Sequence, residues 1–527
     1  MKSVSIGSKK ISMAVGESVP LDYSTTPSGN WSRTVSGFYA MSSDTSVVTI
    51  GDDMILTAVG EGAATITIGT DTGLTATCQV MVGSVGLEDC EVTLASSSYA
   101  YDGTAKKPAV TVICGGTALE EGTDYSVSYS NNTKVGTATV TVTGMGDYTG
   151  TQTVNFTIEK ASQTLTVSSS SVSLAVGGTS TLTASGAKTT LSYSSSDTSV
   201  ATVSSAGKIT AKKVGTAVIT VAAAASANYN KATKTVKVTV KPASTTVSSV
   251  TNTTSGVKVT WKKVTGATGY YVYRAMSKSG TYTKIATIES GSTVSYTNGT
   301  SGTYKVTSGK TYYYKVYAYA STGTSAASST KSIRFLTAGK ISSLTNTSGG
   351  ITIKWSKVSG ASGYYVYRKT GSGSYSNVKT VTSGSTVSYS DTAVKSKNGT
   401  TYTYYVIPYY KNSSGTVTKG SYSNTKKMVR MTAVSLSSVK NSSSKKMTVK
   451  WAKNSKATGY QIQYSTSSSF ASGNKTVTVS GTSSSSKVIS SLTKNKTYYV
   501  RVRSYKTVSG TKYYSAWSGK KSVKISK

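Results

Sequence analysis

Histidine is absent from this chain of 527 residues. That removes the usual general base near neutral pH, the commonest zinc ligand, and any Ser-His or Cys-His nucleophile pair. Cysteine is scarce: Cys78, Cys90 and Cys114 stand at a spacing that fits no zinc pattern. The favoured reading is three buried thiols acting as small apolar residues. A Cys90–Cys114 bridge is the alternative, and it leaves an odd thiol. Five prolines exclude Pro-rich linkers, so successive domains are expected to sit close together. No stretch sustains a 3.6-residue apolar period, so almost no helix is expected. No apolar run has the character of a signal peptide or membrane span, and no Leu-Pro-x-Thr-Gly motif ends the chain. The expectation is either a fragment of a secreted protein or a complete protein that needs no secretion, with no membrane insertion.

Acid is lacking in one part only. Residues 1–160 hold 16 acidic and 8 basic side chains, a net of −8, whereas 161–527 hold 3 acidic and 50 basic ones, a net of +47. Such a field attracts polyanions, among them teichoic acids, acidic glycans, mucin, anionic lipid or nucleic acid. The plainer reading is solubility, with lysines on sheet faces and edges blocking edge-to-edge pairing. No Lys/Arg cluster is dense enough for a sequence-specific nucleic-acid site. The acids that cluster (Glu88, Asp89, Glu91; Glu120, Glu121, Asp124) lack the Asp-x-Asp-x-Asp-Gly spacing of a calcium loop. The expectation is a non-enzymatic chain with no cofactor and no metal.

What is present is Tyr, Val, Ser, Thr and Gly in alternating runs, a composition of strands with polar outer faces. Trp261, Trp355 and Trp451 recur at intervals of 94 and 96 residues. Each closes an alternating run: Val-Lys-Val-Thr-Trp, Ile-Thr-Ile-Lys-Trp and Met-Thr-Val-Lys-Trp. A Gly-Tyr strand follows each one, then a Tyr-rich strand beginning at Tyr312, Tyr402 and Tyr498. A period near 95 residues is one β-sandwich per copy. These motifs resemble fibronectin type III domains over 242–337, 338–432 and 433–527. The resemblance implies core roles for Trp261, Trp355 and Trp451. It also implies a tyrosine corner at Tyr312, Tyr402 and Tyr498, with Ser308-Gly309, Asn398-Gly399 and Lys494-Asn495 standing in place of the family's Pro-Gly. No Arg-Gly-Asp occurs, so integrin binding is not implied.

Residues 161–241 carry Val172-Ser-Leu-Ala-Val-Gly-Gly-Thr-Ser-Thr-Leu182, Ser-Ser-Asp-Thr-Ser-Val at 195–200 and Val214-Gly-Thr-Ala-Val-Ile-Thr-Val221. This resembles the bacterial Ig-like group 2 family, and 1–83 is a divergent copy with an insertion around Trp31 to Tyr39. Asp44 and Asp197, equivalent in the two copies, are expected to cap turns through backbone N–H groups. Residues 84–160 resemble a β-sandwich module of Gram-positive surface proteins. The fold class expected is therefore all-β: six tandem Ig-like and fibronectin type III sandwiches in an extended rod.

Side chains alternate along strands, so two Tyr rows face outward: Tyr271, Tyr273, Tyr313, Lys315 and Tyr317 in the first repeat, and Tyr365, Tyr367, Tyr405 and Tyr409 in the second. They offer a surface for sugar rings or a protein partner, or they simply pair across strands and stiffen the sheet. In the third repeat, Tyr514-Ser-Ala-Trp-Ser518 resembles half of the Trp-Ser-x-Trp-Ser signature of cytokine receptors. That resemblance implies a structural Arg501–Trp517–Arg503 stack and no cytokine binding. A Lys–Asn isopeptide staple needs a buried acid beside the pair, and the acids of 242–527 do not align between repeats. Glu289 falls against Thr382, Asp391 against Thr297, and the last repeat has no acid, so no staple is expected.

The functional expectation is an extracellular stalk or adhesion segment of a Gram-positive cell surface, binding cell-wall or host polyanionic glycans or a protein partner. A phage virion accessory protein, or the non-catalytic modules of a carbohydrate-active enzyme, are the alternatives.

Overall fold

In a computed structural model, residues 1–26, 28 and 37–526 are described. The expected insertion therefore lies largely outside the described residues, Trp31 included. The chain is all-β: sandwiches of two packed sheets follow one another, and the described residues hold only two one-turn helices, Leu87–Asp89 and Thr392–Val394. The chain divides into two compact units. One comprises Met1–Val172, Thr179–Thr210 and Ala217–Val238; the other comprises Ser173–Gly178, Ala211–Thr216 and Thr239–Lys527.

In the first unit, the first sandwich sets the sheet Lys10–Met13, Thr75–Val82, Gly62–Thr70, Phe38–Ser42 against Ser18–Pro20, Ile55–Ala58, Val48–Ile50. Alternate residues of each strand point inward, so Leu56, Ile66, Ile68 and Val80 meet with no exposed surface. The next module joins Ser98–Ala100, Thr151–Glu159, Gly136–Gly144 and Tyr125–Ser130 in one sheet. Its second sheet pairs Glu91–Leu94 with Val110–Cys114 antiparallel, Glu91 opposite Ile113. That register brings Cys90, one residue before the strand, to Cys114, with Cα atoms 4.5 Å apart, and the two form a disulfide. The favoured reading of three free thiols is corrected: only Cys78 is free, and burial pushes its thiol up to about 11. Sequence spacing alone cannot reveal a strand register.

The first two modules are tied together. Met81 packs in the second module's core, and Tyr148 accepts a hydrogen bond from Gln79 Nε2 at 3.0 Å. Lys10 pairs with Asp124 at 2.5 Å, and Ser12 donates to Asp147 at 2.8 Å. Asp44 and Asp197 both cap turns: the Ser46 and Ser199 N–H groups each donate to the carboxylate two residues back, at 2.9 Å. The serine hydroxyl and N–H hold the Asp44 carboxyl below its usual range.

The second unit carries the three repeats, each with a three-stranded and a five-stranded sheet. In the five-stranded sheet a Gly-Tyr strand (Gly269–Ala275, Gly363–Thr370, Gly459–Ser465) lies beside a long strand (Thr311–Ala320, Thr401–Lys411, Thr497–Val508). Trp261, Trp355 and Trp451 are 2–3% exposed between the sheets. Their indole rings lie 5.3, 5.4 and 5.3 Å from Tyr270, Tyr364 and Tyr460. These tyrosines have no exposed surface, yet each hydroxyl is satisfied: it accepts an N–H from Val264, Val358 or Asn454 and donates to the carbonyl of Gly291, Gly384 or Thr482. The Gly before each tyrosine is a notch. A Cβ at Gly363 would lie 2.7 Å from the Tyr409 hydroxyl, and at Gly269 and Gly459 it would collide with Tyr319 and Tyr505.

Neighbouring repeats of this unit share residues. Leu336, carried by the sequence of the first repeat, belongs to the second repeat's core; Val429 and Met431 of the second belong to the third's. Asn252 Nδ2 donates to the Arg334 carbonyl of its own repeat (3.1 Å) and the Lys419 carbonyl of the next (3.0 Å). Asn346 repeats this with Val429 and Tyr514, both at 2.9 Å. Ser308 donates to the Ser359 carbonyl, and Arg334 lies over the Tyr410 ring at 4.3 Å.

Candidate functional site

The outer face of each five-stranded sheet carries the candidate residues. In the first repeat Tyr271, Tyr273, Tyr313, Lys315 and Tyr317 are all half-buried. Tyr271 stacks on Tyr319 at 4.3 Å and Tyr273 leans on Tyr317 at 5.0 Å. Lys284 lies over Tyr271, and Lys315 lies 4.1 Å from the ring of Tyr282, a residue the sequence did not single out. In the second repeat Tyr365 meets Tyr409 at 4.6 Å and Tyr367 stacks on Tyr405 at 4.9 Å. The expectation of an outward Tyr409 needs correction. Its ring lies in the Gly363 notch against Tyr365 and is only 6% exposed. Tyr505, at the corresponding place in the third repeat, is likewise sealed at 4% over Gly459.

Arg501 and Arg503 flank Trp517 at 4.7 and 4.3 Å, and continue to Phe470 (4.2 Å) and Tyr514 (3.9 Å). Gln463 and Gln461 each accept an arginine Nε–H at 2.8 Å and fix both guanidinium planes. Burial lowers the pKa of both arginines from the usual range. In the corner, Tyr312 accepts the Thr307 N–H at 2.8 Å and Tyr498 accepts the Thr493 N–H at 3.1 Å. In the middle copy the N–H five residues before Tyr402, that of Lys397, turns instead to the Val394 carbonyl, because a one-turn helix occupies this loop.

One element escaped the sequence reading. The motif noticed only near Trp517 is a serine bridge present in all three repeats. Ser328, Ser423 and Ser518 accept the N–H of Val316, Val406 and Val502 on the long strand through Oγ, at 3.0, 2.9 and 3.0 Å. Their own N–H groups donate back to the same residues' carbonyls. The residue just before the bridging serine is Ala327, Tyr422 or Trp517. Serine is common here, so only the structural alignment exposes the bridge.

The buried acid is Asp391, 1% exposed, paired with Arg368 at 2.7 Å and accepting the Tyr404 hydroxyl at 2.9 Å. Opposite Val257 the first repeat has Asn298, and opposite Ile351 the second has Asp391. Asp391 is thus equivalent to Asn298 rather than Thr297, a one-residue correction. Asn298 accepts from Arg274 (2.9 Å) and Tyr314 (3.0 Å) with the same geometry. In the third repeat Ile489 and Tyr464 make the place apolar. Burial, reinforced by Asp391, drives the Tyr404 phenol far above its usual range. Arg430, 2% exposed at the position of Phe335, donates to the carbonyls of Val394, Lys395 and Thr347. No sequence pattern marks it. Among the described residues, no group of three or more His, Cys, Asp or Glu side chains gathers, and no helix is long and apolar enough to cross a membrane.

Tandem sandwiches with hydrogen-bonded junctions and aromatic outer faces define a class, the Ig-like and fibronectin type III arrays, whose domains typically space or bind rather than catalyse. Residues 175–225 match the family model described as intimin, immunoglobulin-like domain, and residues 432–518 match that of the fibronectin type III domain. No curated protein matches the chain. Among solved structures, the FN1–FN3 domains of chicken CNTN1 align at 21% identity over 55% of this chain and 99% of that one, with a TM-score of 0.23.

Proposed function

We propose that this chain is an extracellular stalk or adhesion segment of a bacterial surface, and that its basic repeats hold polyanionic cell-wall or host glycans. The Ig-like and fibronectin type III matches support the extracellular, adhesive part of this reading. Charge carries the rest. Residues 242–527 hold 42 basic and 2 acidic residues, and one of the two, Asp391, is buried against Arg368. The exposed field is therefore almost purely positive.

The test uses the whole chain with heparin and with neutral dextran. Heparin binding should fall steeply between about 0.05 and about 0.5 M salt, because exposed charges are screened beyond roughly 8 Å at physiological ionic strength. Hydrogen exchange should show protection within 242–527 and none in 1–160. Salt-insensitive binding, equal binding to dextran, or protection of the acidic segment overturns the reading.

A further inference from the structure

The second repeat differs from its neighbours at one surface. Tyr422, on the serine bridge, is 61% exposed, the highest value among exposed large hydrophobic residues that are described. The equivalent Trp517 is clamped between two arginines, and Ala327 has no ring. Tyr422 leans on Tyr405 at 5.8 Å; Tyr405 is itself backed by Tyr367 at 4.9 Å and Tyr375 at 4.6 Å. Three rings thus support one open ring, held by a bridge whose Ser423 is 1% exposed.

The next row across the sheet is cationic. Thr403 pairs with Lys369 on one side and Lys427 on the other. Thr403 and Tyr405 lie on the same face two residues apart, so this row is about 7 Å from the Tyr367–Tyr405 row. The corresponding rows are Ala275–Tyr313–Ser332 in the first repeat and Ser465–Tyr499–Ser522 in the third, with no cation in either. The only acid of residues 338–432, Asp391, is buried. An open aromatic ring leaning on Tyr405, with two cations in the row about 7 Å beyond Tyr405, fits a glycan that carries carboxylates along its chain.

We propose that Tyr422, with Lys369 and Lys427, is a subsite for a uronic-acid-type glycan: a sugar ring stacks on Tyr422 and a carboxylate along the chain meets the lysines. This rests on the polyanion reading above and adds ring recognition to it.

The experiment compares the full chain with Tyr422→Ala and Tyr422→Phe, using an oligogalacturonate and, as a ringless polyanion, inorganic polyphosphate at about 0.3 M salt, where diffuse attraction is largely screened. Tyr422→Ala should weaken oligogalacturonate by on the order of three- to tenfold, the worth of one aromatic contact, and leave polyphosphate unchanged. Tyr422→Phe should bind like the parent, since the ring face remains. If Tyr422→Ala lowers both probes equally, or neither, the subsite is refuted while the polyanion reading stands. If the parent binds neither probe even at low salt, the polyanion reading falls as well.

Discussion

Each repeat places a tryptophan where its ring is fully used and its indole N–H is not. Nε1 of Trp261, Trp355 and Trp451 is buried without a hydrogen-bond partner. The indole is therefore held by area and shape, against Tyr270, Tyr364 and Tyr460, and not by its donor. Replacing Trp355 with Ala should cost about 3–5 kcal/mol and destabilise its own repeat. Replacing it with Phe should cost clearly less, because no hydrogen bond is broken and an unsatisfied buried donor is removed. Calorimetry of the two variants decides; equal losses would show that the indole nitrogen matters. The recurrence of these residues was legible from their spacing, and their core role from the resemblance to fibronectin type III domains. The unpaired nitrogen was not, because it depends on which carbonyls the packed core fails to bring near.

At the scale of strands, the contact Arg368–Asp391–Tyr404 joins the two sheets of the second repeat. Tyr404 keeps its proton far above the usual range, first through burial and then through Asp391. A folded-state pKa above the unfolded value, about 10, gives stability that is full below pH 10 and is lost as pH rises beyond it. One such phenol steepens the loss by about 1.4 kcal/mol per pH unit. Tyr404→Phe should therefore flatten the alkaline limb of the second repeat's stability, read by hydrogen exchange of residues 338–432. An unchanged slope would show that Tyr404 does not govern it. Strand identity, inward and outward alternation and the Gly-Tyr pattern were readable from period 2. What alternation could not give was depth: Tyr409 and Tyr505 face outward in register but sink into glycine notches, a close approach that appears only when neighbouring strands are assembled.

At the scale of the second unit, each repeat lends its last strand's exit to the core that follows, and Asn252 and Asn346 stitch the seam. Neighbours should then unfold partly together, as stacked repeats do when interface terms are strong. Asn346→Ala removes the donor that joins Val429 and Tyr514 and should lower the coupling by about 1–3 kcal/mol. Scanning calorimetry should show one broad transition resolving toward two; an unchanged profile would mean that the seam is held by Leu336- and Met431-type burial alone. Few prolines hinted at close-set domains. The asparagines gave no hint, since one amide among many acquires meaning only from the carbonyl of the next repeat.

The serine bridge has a consequence for how such an array can change. Three copies of one scaffold hold Ala327, Tyr422 and Trp517 at the same place while the bridge beneath is unaltered. The backbone there is fixed by hydrogen bonds that do not involve the variable side chain. That slot can be rewritten without touching the core. Within a single molecule, a methyl group, an open phenol and a clamped indole stand on one frame, so the surface chemistry of a repeat can change by a single substitution while its fold stays still.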